Sequence, residues 1–166
     1  MKWTHFFRLF ETTDNTLGIF AIFASLSRVI PLKDLTLHGV DISTEDIMLS
    51  FLSRMPYMES LCIENNLISD LFLESLGLKN GILYLFPKLK ELRFVSFQLS
   101  IIDLLEMIKG RIENVSREKI PKFSIWLHDV NGITDDGIEL LHGLQREHAG
   151  VLAMSVSKAF KFIIAP

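Results

Sequence analysis

The sequence predicts an α/β fold: a short solenoid whose parallel, concave sheet of five or six strands carries helices on its convex side. Three observations predict it. First, a block with an apolar–x–apolar centre occurs four times, at residues 32–43 (LKDLTLHGVDIS), 58–69 (MESLCIENNLIS), 89–100 (LKELRFVSFQLS) and 123–134 (FSIWLHDVNGIT). Second, apolar alternation inside each block gives way to helical spacing after it. Third, each block closes on an apolar residue followed by Ser or Thr, at Ile42-Ser43, Ile68-Ser69, Leu99-Ser100 and Ile133-Thr134. A Ser or Thr there can cap the helix that follows. Units recurring every few tens of residues stack because none can bury its apolar face alone.

Taken in order, residues 1–30 form a degenerate N-terminal unit or cap, with a strand over 3–10 and a helix over 14–28. Its apolar run 17–26 (LGIFAIFASL) is shorter than the roughly 20 residues that span a bilayer. Glu11 and Asp14 precede the run, against the basic start of a signal peptide, so it reads as a buried helix. Residues 31–156 hold the repeats. Their strand centres are Leu35/Leu37, Leu61/Ile63, Leu92/Phe94 and Ile125/Leu127, and the first residues of these pairs are 26, 31 and 33 apart. Such uneven spacing enters as longer helices or loops on one face. Ile47, Phe51 and Leu52 follow Ser43 at helical spacing. Leu104, Met107 and Ile108 follow Ser100 likewise, as do Ile138, Leu141 and Leu144 after Thr134. Ser43 with Asp46 and Ser100 with Asp103 are weak capping boxes. Pro31, Pro56, Pro87 and Pro121 stop each preceding helix without costing a ladder hydrogen bond. The polar run 110–119 (GRIENVSREK) reads as a surface loop or a frayed helix end. Residues 154–156 make a closing strand. The apolar tail, 157–166, fits no repeat and is either a cap or an unpaired strand.

Composition narrows the function classes. An apolar fraction of 49% with 22% charged residues is globular and not disordered. A net charge of −3 leaves no electrostatic footprint for nucleic acid. The lone cysteine, Cys62, forms neither an internal disulfide nor a metal-ligand cluster and fits a reducing compartment, cytoplasmic or nuclear. The sequence has no Gly-rich phosphate loop, no nucleophile elbow and no paired His zinc motif.

The blocks, with their P-x-L-x-x-L-x-L opening and Ile-Ser/Thr helix start, resemble leucine-rich repeats. More narrowly, together with the last unit (ITDDGIELLHGL, 133–144), they resemble the irregular C-terminal repeats of fungal F-box-type proteins. The resemblance covers residues 31–156. It implies a non-catalytic protein–protein interaction module, the substrate-recognition part of an F-box-like ubiquitin-ligase receptor. Two departures stand against it. The Asn or Cys that usually follows the strand falls at Val40, Asn66, Phe97 and Val130, so only Asn66 keeps it. And no F-box is present: it is expected upstream as a helical Leu-Pro-rich segment, whereas the first proline is Pro31.

Strands alternate their side chains between faces. With the leucine pairs turned inward, Asp34, Thr36 and His38 point to the concave side, as do Ser60, Cys62 and Glu64, then Glu91, Arg93 and Val95, and finally Ser124, Trp126 and His128. Thr36, Cys62, Arg93 and Trp126 then make one row, and His38, Glu64, Val95 and His128 the next. Trp and Arg are over-represented among interface hot spots. The candidate partner-binding residues are therefore Thr36, His38, Cys62, Glu64, Arg93, Trp126 and His128. Trp126 could instead simply stack on Arg93 or tuck under the C-terminal tail. His38 and His128 lie three strands apart, about 14 Å, too far to share a metal ion. Glu64 beside His38 reads as a surface ion pair and not as a catalytic dyad. Asp129, Asp135 and Asp136 read as acids that complement a helix dipole. The expectation is a protein partner, with no catalytic residue, cofactor, metal, nucleic acid, membrane or small-molecule substrate. The alternative is a truncated or vestigial solenoid without a working site.

Overall fold

The computed structural model describes residues 8–9, 32–38, 45–64, 69–79, 82–83, 85–96, 98–118 and 122–157. Their chain order is β1 (Arg8–Leu9), β2 (Asp34–His38), α1 (Glu45–Leu52), β3 (Ser60–Glu64), α2 (Asp70–Leu76), β4 (Leu78–Lys79), β5 (Ile82–Leu83), β6 (Glu91–Val95), α3 (Ile101–Glu118), β7 (Phe123–His128), α4 (Asp135–Glu147) and β8 (Leu152–Ser157). The fold is α/β. One sheet has the order β1-β2-β3-β6-β7-β8, and β4-β5 form a separate antiparallel pair. Every pairing in the large sheet is parallel. Spatial order follows chain order without reversal, so the sheet lacks the switch point at which doubly wound folds bind ligands.

Burial shows why these residues make these strands. The pattern alternates between half-buried and buried in β2 and β3, and the buried positions keep alternating in β6 and β7, where Arg93, Trp126 and His128 are exposed. The buried rows are Leu35-Leu61-Leu92-Ile125 and Leu37-Ile63-Phe94-Leu127, in register across four strands. They join Met48, Phe72, Leu76, Leu104, Ile108 and Leu141 from the helices in one core. All the described helices therefore cover one face of the sheet and leave the other open. In β8 the equivalent residues, Met154 and Val156, are only partly buried. No described helix follows that strand to cover them.

The predicted punctuation is visible where it is described. Ser69 Oγ accepts a hydrogen bond from the Leu71 N–H and Thr134 Oγ1 from the Gly137 N–H, each at 3.2 Å. Ser100 Oγ accepts from the Asp103 N–H at 3.4 Å. Ser43, the helix over 14–28, the apolar run 17–26 and the tail 158–166 lie outside the described residues. The two described proline turns have matching hydrogen bonds: the Met58 N–H donates to Met55 O across Pro56, and the Leu89 N–H donates to Phe86 O across Pro87. Pro56 follows α1 as expected, whereas Pro87 follows the β4–β5 pair and not a helix. Lys88, one residue past Pro87, sets its ammonium 4.6 Å from the ring of Tyr57, its counterpart past Pro56.

Beyond β6 and β7 the chain lacks the usual asparagine and satisfies its backbone by other means. Ser96 and Asp129, at matching positions, both adopt left-handed φ, 50° and 51°. The Ser96 N–H donates to His128 O and the Asp129 N–H to Ser157 O, each at 2.9 Å. The fourth block carries one residue more than the third between strand and helix cap. That residue is Gly132, at φ +89°, where a Cβ would stand 2.4 Å from Leu99 O.

Two features differ from the sequence reading. Residues 110–118 are neither loop nor frayed end but continue α3 to Glu118. The β4-β5 pair was not predicted at all. In sequence, Asn80-Gly81 stands between its strands, the two-residue hairpin signature that could have announced it.

Behind the hairpin lies Arg111, the one fully buried charged side chain among the described residues. It sits in the polar run that the sequence placed at the surface. Its Nε donates to Leu76 O at the end of α2. Its Nη1 donates to Phe86 O and its Nη2 to Leu85 O, both at 2.6 Å. Burial pulls its pKa down to about 9. The guanidinium is therefore protonated at neutral pH, and a cation suits the carbonyl end of a helix.

Candidate protein interface

The open face of the sheet holds the predicted rows. Parallel register aligns Thr36, Cys62, Arg93, Trp126 and Ser155 across five strands. The adjacent row is His38, Glu64, Val95, His128 and Ser157. On the other side run Asp34, Ser60, Glu91, Ser124 and Ala153. All seven candidate residues thus share one face, because one unbroken alternation turns every partner of a buried leucine outward.

The geometry concentrates on the third and fourth repeats. Arg93 Nε and Nη2 donate to Glu91 Oε1 at 3.0 and 2.7 Å. The guanidinium carbon lies 5.7 Å from the centroid of the Trp126 ring, within cation–π range. The stacking contact weighed from sequence is therefore present, and it does not bury the ring: Trp126 stays 46% exposed. Among the described residues, the outward positions of β8 beside the ring are Ala153, Ser155 and Ser157, which are small. Trp126 and Arg93 stand as a ridge beside a low shelf.

The first two strands are quieter. His38 Nδ1 lies 3.4 Å from Glu64 Oε2, a half-exposed ion pair when the imidazole is protonated. Cys62 Sγ lies 3.7 Å from Glu64 Oε1. Burial pushes the Cys62 thiol up to about 11, and the Glu64 carboxylate adds to the rise. A nucleophilic cysteine requires the opposite shift. His128 Nδ1 meets Ser157 Oγ at 2.7 Å. Thr36 lies in the Cys62 row and Val95 between Glu64 and His128.

At the N-terminal rim of the strands Glu59 bridges two repeats. Its Oε1 accepts from Lys33 Nζ at 2.6 Å and its Oε2 pairs with Lys90 Nζ. These two hydrogen bonds hold the Glu59 carboxyl below the usual carboxylate range. The sequence reading missed this row, although Lys33, Glu59 and Lys90 are the residues just before the predicted strands.

Among the described residues, no group of three or more His, Cys, Asp or Glu side chains is placed to hold a metal ion. No described helix is long and apolar enough to cross a membrane. Set against known protein families, curated proteins and solved structures, the chain matches none of them.

Proposed function

We propose that the chain is a leucine-rich-repeat type, non-catalytic interaction module that binds a protein partner on its open sheet face. The observation that carries this reading is the Glu91–Arg93–Trp126 cluster. A large, half-exposed aromatic is held by a guanidinium that is itself held by a carboxylate. Fixing these side chains before binding lowers the ordering cost of association. Trp and Arg are also the side chains whose truncation most often weakens an interface. The flat run of small residues on β8 leaves room for a partner to cover the indole. The monotonic strand order and the repeated turns support a solenoid, whose units stack without a ligand crevice. The raised Cys62 pKa and the paired His38 and Glu64 support a surface without a reacting group.

The resemblance to fungal F-box-type repeats makes a protein destined for ubiquitination the first class of partner to test. The experiment is an affinity pull-down from a fungal extract, comparing the intact chain with an Arg93→Ala/Trp126→Ala variant of unchanged circular dichroism. Proteins held by the intact chain and lost with the variant support the reading. Ubiquitin-ligase components among them support its F-box-type form. For a purified partner, Trp126→Ala alone weakens binding by more than about 1 kcal/mol in titration calorimetry. An unchanged affinity removes Trp126 from the interface.

A further inference from the structure

The helical side of the molecule carries a second surface that the open-face reading leaves unused. α3 and α4 flank a groove of about 560 Å³ lined by Leu105, Lys109, Asp136, Glu139, Leu140, Gly143, Leu144 and Glu147. Its apolar floor runs from the buried Leu144 and the partly buried Leu105 to Leu140, which is 58% exposed; Ile102, one turn before Leu105 on α3 and outside the groove, is 65% exposed.

The two described glycines inside α4 show what the groove is for. Gly137 is required by the fold, since a Cβ there would press on Ile101 Cγ1 at 3.1 Å and Ile133 Cγ2 at 3.4 Å. Gly143 is not: a Cβ at that position meets nothing within 4 Å among the described residues. Glycine inside a helix costs stability relative to alanine. At Gly143 no described contact offsets that cost. What the missing side chain provides is depth in the groove between Leu140 and Leu144. Among the described residues, the rim supplies the sign of the occupant, with three carboxylates (Asp136, Glu139 and Glu147) against one ammonium (Lys109). From Asp136 to Glu147 the groove follows about 16 Å of helix, some three turns.

We infer that the α3–α4 groove is a docking site for a basic amphipathic helix of a partner protein. Its leucine-like side chains lie on Leu105, Leu140 and Leu144, and its lysine or arginine side chains pair with Glu139 and Glu147. One turn of the incoming helix passes closest at Gly143. Helix-in-groove recognition works by this combination of spaced apolar anchors and flanking charge. The site is separate from Trp126, and either surface can be lost without the other.

The test uses the full chain and two labelled peptides of about 14 residues, roughly four helical turns. One is an amphipathic leucine–lysine helix and the other is its leucine–glutamate counterpart. Binding is read by fluorescence anisotropy and located by amide NMR shifts. The leucine–lysine peptide should bind more than about tenfold tighter and shift the Gly143 amide. Gly143→Leu, which places a side chain in the groove without touching the core, should abolish that binding. Glu139→Lys/Glu147→Lys should reverse the peptide preference, and Trp126→Ala should leave it unchanged. Equal binding to Gly143→Leu and the parent chain overturns the site. So does a Gly143 shift on deleting residues 158–166, or on raising the chain concentration without peptide. Those two outcomes assign the groove to the chain's own tail or to a second copy.

Discussion

Two arginines mark two regions built on different rules. Arg93 stands on the open face, on a strand that repeats its neighbours, and answers to a carboxylate and an indole. Arg111 lies on α3 behind the hairpin and donates to three main-chain carbonyls. No carboxylate among the described residues pairs with it. The first arginine is displayed by the fold and the second holds it together. The region between α2 and β6 departs from the repeat and supplies two of the three carbonyls that Arg111 meets. Leu85 and Phe86 turn theirs to Arg111, and Phe86, a buried aromatic before a proline, sits at φ 50°. Arg111 thus closes the end of α2 and pins a strained residue with one side chain.

Substitution of the two arginines by alanine tests this contrast and gives its largest effect. Arg111→Ala leaves three buried acceptors unsatisfied, and each costs about 1–3 kcal/mol. The loss in urea denaturation should be about 3 kcal/mol or more, a large part of a typical domain's stability. Arg111→Lys should recover little, because one ammonium cannot reach three carbonyls that a planar fork spans. Arg93→Ala should stay within about 1 kcal/mol, as exposed pairs do. Similar losses for Arg93→Ala and Arg111→Ala would break the distinction.

The same contrast explains what could be read from the sequence. The open face was legible to the residue, because a period of two and a recurring block fix both register and orientation. Leu35, Leu61, Leu92 and Ile125 each announce their outward neighbour. The Ser69 and Thr134 caps were legible for the same reason, being local. Arg111 was not, since its place depends on carbonyls 25 to 35 residues away and its surroundings, Gly110 to Lys119, are polar in composition. The α3–α4 groove was also hidden. A glycine inside an amphipathic helix looks the same in sequence whether packing demands it, as at Gly137, or not, as at Gly143. The Lys33–Glu59–Lys90 row needed only the alignment already in hand and went unread.

A second, smaller test compares glycines. Gly132 combines φ +89° with the close approach to Leu99 O, so Gly132→Ala should cost about 1–3 kcal/mol. Gly143→Ala should instead stabilise the chain by up to about 1 kcal/mol, the helix-propensity difference. Thermal and urea unfolding of the two variants should therefore move in opposite directions. Destabilisation by Gly143→Ala would mean that the position is packed, and would remove the groove's depth as a feature awaiting an occupant.

The smallest expected effect belongs to Glu59, the part-buried counterpart of the Arg93 pairing at the rim. Its carboxyl is held below its ordinary value by hydrogen bonds from Lys33 and Lys90, so the folded state binds a proton there less readily than the unfolded chain. The stability it contributes is therefore present above the unfolded value of 4.5 and is lost as pH falls through the lower folded value. Glu59→Gln should lower stability at pH 7 by less than about 1 kcal/mol. The gap should close on acidification below pH 4.5, and it should shrink with added salt because the lysines are exposed. A gap that persists at low pH would mean that Glu59 acts through packing and not through charge. The rim row would then belong with Arg111, among the side chains that hold the fold, and not with the displayed face.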